Sequence, residues 1–501
     1  MGVGIMEISI GLGALFIAFY YYATAKFNFW NSRGVSGPKP SAFMGNFYHV
    51  MVGNISVGDY LTEEYKKFKD EPFIGIFARR TPILVVKDPE YIKDVLIKDF
   101  TAFADRGMKV HEKVEPLSQH LFSLEPARWR PLRTKLSPTF TSGKLKEMFH
   151  LITDCAKHFE KFLEDHVKKN PVIECRELTA KFTTDVIGEC AFGLEMNALT
   201  EGDSDFRRIG RKVFEVGTFK LLKMRIREAA PWLYNLLYPI MYDREINDFF
   251  IDSMKQTMKY RQDYKVKRND FVDLLLEIRN HPTKLGDIEM TDILITAQAF
   301  VFFIAGFETS STTMSNALYE LALNQNVQDE LRREIREELQ KEKGDLKYET
   351  IKNMKYLHKV FCETLRKYPP VTVLMRQAME PYTFSGTKWS IPKDMKVWIP
   401  IYAIQRDPQI YPDPDTFDPE RFSDENMKTR HPSFYLPFGD GPRNCIGARF
   451  ANFQSKVGLI GILKNYKVDV CEKTCIPYVN NPRAFLLQPM GGIKLKFTRI
   501  E

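Results

Sequence analysis

The stretch from Thr291 to Leu323 contains no proline and has the length for a helix of about 50 Å. Its middle, Ala297 to Phe307, is apolar on every face except at Gln298. Such a run is too short to cross a bilayer, so the helix must pass through the centre of a protein large enough to cover it all round. The chain can provide that cover. Its 501 residues, 44% hydrophobic and 27% charged, exclude a disordered or collagen-like polymer. The net charge of +8 is too diffuse to argue for nucleic acid and leaves an acidic partner or an anionic membrane open.

Other segments show helical periodicity: Lys144–His166, Leu178–Phe192, Asp243–Tyr260, Gln328–Lys341 and Leu357–Tyr368. Phe73 to Val86 alternates as a strand pair turning near Arg79-Arg80-Thr81. No repeat or low-complexity stretch divides these segments, so one large α-rich domain with small β-sheets is expected. Asp329 to Lys343 reads as a solvated charged face. The 38 Phe and 22 Tyr suit a large core or a greasy cavity. Seven cysteines, an odd number without a CxxC, describe a reducing compartment and not a disulfide framework.

Ile8 to Ala25 carries no charge and spans about 27 Å as a helix, close to the ~30 Å of a hydrocarbon core. Glu7 precedes it, while Lys26, Arg33 and Lys39 follow, which places the downstream side in the cytosol. A cleaved secretory peptide would need a basic start and a small-residue cleavage site, and neither is present. Residues 1–30 are therefore expected to be an anchor, 31–45 a proline-containing hinge around Gly37-Pro38-Lys39-Pro40, and 46–501 the catalytic body. Phe219 to Tyr238 mixes Trp232 and leucines with Lys220, Lys223, Arg225 and Arg227. It fits a segment dipping into the membrane interface and equally a buried helix pair.

Near the C-terminus, Phe438-Gly439-Asp440-Gly441-Pro442-Arg443-Asn444-Cys445-Ile446-Gly447 precedes the helical period of Ala448–Leu463. Cys445 thus sits on a glycine-rich loop at a helix start, where free N–H groups and nearby Arg443 favour a thiolate. Glycines at 439, 441 and 447 let backbone lie close to a broad planar ligand. For the other six cysteines, burial as small hydrophobes is the expectation.

Phe438-x-x-Gly441-x-Arg443-x-Cys445-x-Gly447 resembles the haem-binding signature of the cytochrome P450 superfamily. That resemblance implies the P450 fold, haem b (iron protoporphyrin IX), and Cys445 as the axial iron ligand. Glu363-Thr364-Leu365-Arg366 resembles the family's ExxR motif, with Arg421 of Pro419-Glu420-Arg421-Phe422 as its third member, a structural role. Ala305-Gly306-Phe307-Glu308-Thr309 resembles the family's oxygen-handling segment. There the helix is expected to open at Gly306, Thr309 to hydrogen-bond the oxygen being activated, and Glu308 to help deliver protons. Trp129-Arg130-Pro131-Leu132-Arg133 implies Trp129 and Arg133 as partners of a haem propionate, with Arg376, Arg443 and Arg106 beside them. Pro131 is expected to force the helix to start near Trp129. The match is closest to insect microsomal members that metabolise lipophilic toxins, on Asn269-Asp270-Phe271-Val272-Asp273-Leu274-Leu275 and the Pro419–Phe450 stretch.

Substrate-pocket candidates implied by the resemblance are Phe122, Phe302, Phe303, Ile304, Ala305, Val371, Leu374 and Phe485, with core packing the competing role for at least half of the phenylalanines. The chain has no GxGxxG in a strand–helix setting, so electrons must come from another protein. The resemblance implies NADPH–cytochrome P450 reductase, leaves cytochrome b5 open as a further donor, and locates the chain in the endoplasmic-reticulum membrane. Arg128, Arg130, Lys135, Lys428, Arg430 and Arg449 are candidates for a basic docking face. The expected function is monooxygenation of lipophilic xenobiotics such as insecticides and plant toxins. Rivals are a dedicated hydroxylase of a hormone, fatty acid or pheromone, a haem-thiolate isomerase or dehydratase, and a non-catalytic haem-binding membrane protein.

Overall fold

The computed structural model describes residues 4–200, 202–268, 270–281 and 288–500. Asn269 of the stretch quoted above lies outside them. Two helices among the described residues are long and apolar enough to cross a membrane, and burial tells them apart. Met6–Thr24 is 6% buried, whereas Asp292–Leu323 is 67% buried. The second is the core helix, started by Thr291, whose hydroxyl accepts a hydrogen bond from the Leu294 N–H at 3.1 Å.

Around the core helix pack Cys175–Ile187, Arg244–Asp263, Lys355–Lys367 and Ala448–Leu463, with Ser142–Lys169 behind the last of these. Their apolar faces merge into one cluster that includes Phe159, Phe182, Phe303 and Phe307. A second cluster surrounds the largest sheet. In that sheet β1 (Phe73–Ala78) and β2 (Thr81–Val86) form the expected hairpin, pairing Phe73 with Val86 and Ala78 with Thr81. β3 (Val172–Glu174) belongs elsewhere, paired with β9 (Lys494–Arg499), which also pairs with β8 (Tyr466–Asp469). β4 (Leu374–Gln377) and β7 (Lys396–Ile399) complete the first sheet in the order β1-β2-β7-β4. β5 (Tyr382–Thr383) and β6 (Ser390–Ile391) are a small separate pair. Alternation along β4 puts Leu374 and Arg376 on one face, which matters for the site.

Two helix boundaries differ from the sequence reading. The expected Leu178–Phe192 helix is α-helical only over Cys175–Ile187, and then widens into a π-type turn, Gly188–Phe192. Gly188 is pressed against Met196, whose Cγ lies 2.6 Å from where a Cβ would stand, and Gly193 ends the turn at φ 58°. The helix carrying Trp129 starts at Pro126, three residues earlier than expected, and continues through Pro131 to Leu136. Pro126 supplies the fixed φ suited to a first helical position. Pro131 only deprives the exposed Ala127 carbonyl of a partner, because water can replace a donor there.

Trp30 joins the segment after the N-terminal helix to the sheet. It is 3% exposed, its Nε1–H donates to the Ile76 carbonyl at 3.1 Å, and its ring fills the space that Gly75 leaves open. Trp30→Ala is expected to destabilise the protein by about 3–5 kcal/mol, read as a lower midpoint of thermal unfolding. An unchanged midpoint would show that this contact carries no stability.

Candidate active site

The Cys445 loop closes on itself. The Cys445 N–H donates to the Phe438 carbonyl at 2.8 Å, and the Asn444 N–H to that of Gly441 at 3.1 Å. Gly441 is at φ 69°, and a Cβ there would stand 1.8 Å from the Leu96 carbonyl oxygen, so no other residue fits. Gly447 then caps the Ala448–Leu463 helix. Solvent reaches Cys445 from one side, yet protein surrounds it, and burial pushes its thiol above the usual range. The Gly447 N–H, Arg133 and Arg106 pull the other way without overcoming burial. The cations that act on the sulfur are Arg133 and Arg106. A thiol placed like this loses its proton when a metal takes the proton's place.

Arginines converge beside the cysteine. Arg443 and Arg376 are 2% and 1% exposed, and burial lowers the pKa of each to about 10. Arg443 donates from Nη2 to the Leu124 carbonyl at 2.7 Å and lies over the Trp129 ring at 4.3 Å. Arg376 donates from Nη1 to the Met375 carbonyl at 2.9 Å. Nε of Arg376, and Nε and Nη1 of Arg443, are buried without a hydrogen-bond partner. Arg106 donates to the carbonyls of Phe122 and Arg443, and burial together with Arg376 and Arg443 drives it well below its ordinary value. Arg133 donates to the Asn444 side chain at 2.9 Å. Among the described residues none of these four has an ion-pair partner. Orphaned buried guanidinium donors are costly unless an anion meets them, and a dianionic group fits the set.

The core helix presents an open stripe in an otherwise buried surface. Val301, Ala305 and Thr309, at i, i+4 and i+8, are partly or fully accessible, with Ile304 beside them. Thr309 Oγ1 donates back to the Ala305 carbonyl at 2.7 Å. Glu308 is 2% exposed and forms an ion pair with Arg176 of the Cys175–Ile187 helix. The helix does not open at Gly306, contrary to expectation: it is continuous from Asp292 to Leu323. Gly306 instead admits Ile187, whose Cδ1 lies 2.6 Å from a built Cβ. Two hydroxyls of the same neighbouring helix donate to core-helix carbonyls just past Gly306, Thr183 to Phe307 at 2.9 Å and Thr179 to Ser311 at 3.1 Å.

A fully buried ion pair supports the cysteine loop from behind. Arg366 donates from Nε and Nη2 to both oxygens of Glu363 at 2.6 and 2.8 Å. Arg421 Nε stands 3.5 Å from Glu363 and is the weaker third member. Arg366 also donates to the Gln405 carbonyl at 2.9 Å, and the Gln405 side chain accepts from the Leu436 N–H at 3.0 Å. The Leu436 carbonyl in turn accepts from Gly439 N–H, which links the pair to the loop. Phe438 packs in the same small cluster as Phe361 and Phe422.

Not all pocket candidates meet the site. The Phe122 ring lies 4.1 Å beneath the Arg106 guanidinium, and Leu374 is 3.6 Å from a Cβ built on Gly439. Val371 is half-buried one residue past Pro370, whose carbonyl accepts from Leu487 N–H and so brings the segment bearing the exposed Phe485 alongside. Phe302 is corrected to a core residue: its ring packs on Phe271 at 4.1 Å and on Phe140 at 5.0 Å. Phe303 packs against Phe206, Phe250 and Phe307, also in the core. Of the surface cations, Arg128 is tied to Glu125 and Glu112, and Arg430 lies over Tyr411 while bonding the Arg421 carbonyl. Arg130, Lys428 and Arg449 are exposed, and Lys135 is half-buried. The sequence reading missed Arg176 and Gln405. Neither stands at a telling spacing from its partner, so no local signal marks them.

A family model described as Cytochrome P450 matches residues 35–497. The chain belongs to the cytochrome P450 family. It is 43% identical over 499 residues to Cytochrome P450 6a2 of Drosophila melanogaster, covering 97% of each chain. To Cytochrome P450 6A1 of Musca domestica it is 40% identical over 498 residues, covering 98% of this chain and 97% of the other. Cytochrome P450 6k1 of Blattella germanica is 38% identical over 515 residues, covering 99% and 98%. The protein is therefore a monooxygenase of a family that carries a haem iron and uses O2, redox partners and lipophilic substrates.

Glu363→Gln would leave Arg366 buried beside a neutral amide. A loss of about 3–5 kcal/mol is expected, read as a lower thermal midpoint and a smaller haem-loaded fraction. A variant as stable and as well loaded as the parent would contradict the support assigned to this pair.

Proposed function

We propose that this P450 oxidises lipophilic xenobiotics, such as insecticides and plant toxins, at the cytosolic face of the endoplasmic reticulum. Residues 1–30 anchor it, 31–45 join anchor to body, and 46–501 form the catalytic body. Electrons come from NADPH–cytochrome P450 reductase, with cytochrome b5 a second donor, across a basic face that includes Arg130, Lys135, Lys428 and Arg449. The observation that carries the reading is the convergence of Arg106, Arg133, Arg376 and Arg443 beside Cys445, with no carboxylate among the described residues paired to any of them.

The group these residues suit is haem b. When bound, it supplies the activation of O2 and the oxidising power. Cys445 would supply its sulfur to the iron, with Phe438 beside it, and the four arginines with Trp129 would meet the propionate charge. Glu363, Arg366 and Arg421 keep the loop in place. Glu308, swinging between Arg176 and the interior, carries protons inward. The Thr309 hydroxyl has its own proton committed to the Ala305 carbonyl, so its lone pairs are oriented to accept a hydrogen bond on the open side of the helix. Ile304, Ala305, Val371, Leu374, Phe122 and Phe485 make the apolar wall that receives substrate and excludes water.

Purified protein with reductase and NADPH, offered insecticides, plant toxins, steroids and fatty acids, is expected to give oxygenated toxins by mass spectrometry. Turnover confined to one steroid, fatty acid or pheromone would replace this reading with a dedicated biosynthetic hydroxylase. Ligand-shifted haem spectra without any NADPH-dependent product would replace it with a binding protein. Cys445→Ser is expected to abolish the thiolate-type carbon monoxide spectrum. Thr309→Ala is expected to keep that spectrum while diverting reducing equivalents to hydrogen peroxide, measured as peroxide released per NADPH consumed. A Thr309→Ala enzyme coupled as well as the parent would remove Thr309 from the proton path.

A further inference from the structure

The apolar middle of the core helix holds one polar residue, Gln298, and it is 0% exposed. A buried side-chain amide is costly unless its donors and acceptor are met. Here each atom finds a partner. Oε1 accepts from the Leu121 N–H at 2.9 Å, and Nε2 donates to the Gln119 carbonyl at 2.8 Å. Nε2 also donates to the Leu294 carbonyl, one turn back in its own helix, at 3.1 Å. The amide thus grips the chain on either side of His120, as one residue of a parallel strand grips its neighbour. Both bonds across the gap go to backbone, so they fix the path of the chain itself.

What that grip fixes lies just downstream. The His120 carbonyl accepts from the Ser123 N–H at 2.9 Å and from the Leu124 N–H at 3.0 Å, closing a turn over residues 120–124. Two carbonyls of this turn receive arginines of the site. Phe122 takes Arg106 Nη1 at 2.9 Å, and Leu124 takes Arg443 Nη2 at 2.7 Å. The Phe122 ring lies 4.1 Å from the Arg106 guanidinium, which reaches on to the Arg443 carbonyl at 3.1 Å. A continuous path of hydrogen bonds therefore runs from Gln298 to two of the four arginines beside Cys445. Methionine, with the same length and no polar group, would fill this place without burying an amide. It could not hold residues 119 and 121 to the helix.

We infer that Gln298 is a positioning residue: it locks the turn over residues 119–124 to the core helix so that Arg106 and Arg443 are aimed into the space beside Cys445. It acts through the turn and not by contact with reacting atoms. The inference rests on the reading of these arginines as partners of the haem propionates. Charge-assisted bonds of that kind depend on where the donor points, so a loosened turn weakens the hold on the group.

The test uses haem-loaded, full-length wild type, Gln298→Met and Gln298→Glu, and follows the rate at which haem passes to excess apomyoglobin. Rates are taken at about pH 6 and about pH 8, a window that brackets a carboxyl raised by burial. Gln298→Met is expected to lose haem about tenfold faster than wild type at both values. In Gln298→Glu the protonated acid can accept from Leu121 and donate to Gln119 as the amide does, whereas the ionised acid opposes the Gln119 carbonyl. Its rate is expected to match wild type at the lower pH and Gln298→Met at the higher. His120, whose pKa burial lowers to about 4, stays neutral across the window and does not imitate this change. Phe159→Leu, whose ring packs on Phe182 at 4.9 Å in the same core, sets how far a lower thermal midpoint alone speeds haem loss. A Gln298→Met enzyme no faster than wild type, or no faster than Phe159→Leu at an equal margin below its midpoint, overturns the assignment. So does a Gln298→Glu enzyme whose rate ignores pH. If Gln298→Met fails to load haem, Gln298→Glu loaded at the lower pH and shifted to the higher decides alone. A wild-type chain that takes up no haem overturns the cofactor reading itself, and the assignment with it.

Discussion

Positive charge buried without an answering acid is the constraint that organises this molecule. Arg376 and Arg443 lower the proton affinity of Arg106, Arg443 does the same to Arg376, and Arg133 stands close enough to act on the same sulfur. An uncompensated ion in a protein interior costs several kcal/mol, and among the described residues these arginines meet backbone carbonyls, one asparagine, an indole face and the Phe122 ring. A dicarboxylate lying between the cysteine loop and β4 would satisfy them all. Close packing also explains Gly441, since the loop can come so near the Leu96 carbonyl only where a side chain is missing.

What holds that loop is a relay and not a single bond. Glu363 and Arg366 satisfy each other in the core, a weak contribution to net stability but a strong one to geometry. Arg366 then fixes the Gln405 backbone, the Gln405 side chain fixes Leu436, and Leu436 fixes Gly439. On the opposite side, the Cys175–Ile187 helix performs the same service for the core helix. Its Ile187 fits against Gly306, its Thr179 and Thr183 take carbonyl oxygens, and its Arg176 neutralises Glu308. Gly306 thus has a packing reason to be glycine that needs no opening of the helix.

Local pattern was readable in the sequence and long-range pairing was not. The core helix, the β1–β2 hairpin, the Ala448–Leu463 helix and the cysteine loop follow from periodicity and glycine placement, which act within a few residues. Arg176 and Glu308 are 132 residues apart, and nothing near either one names the other. Phe302 shows the limit of a helical period: it says which residues share a face, not which neighbour that face will meet, and here the neighbours are Phe140 and Phe271. At Cys445 a helix start and a nearby arginine are visible in sequence, while the burial that pushes the thiol up is not.

The centre we propose is defined by a sulfur-to-iron bond at Cys445. Iron-edge X-ray absorption on the haem-loaded wild-type protein reads that bond directly. The account predicts one sulfur scatterer beside the porphyrin nitrogens. A fifth nitrogen with no sulfur in the iron's coordination shell would contradict it.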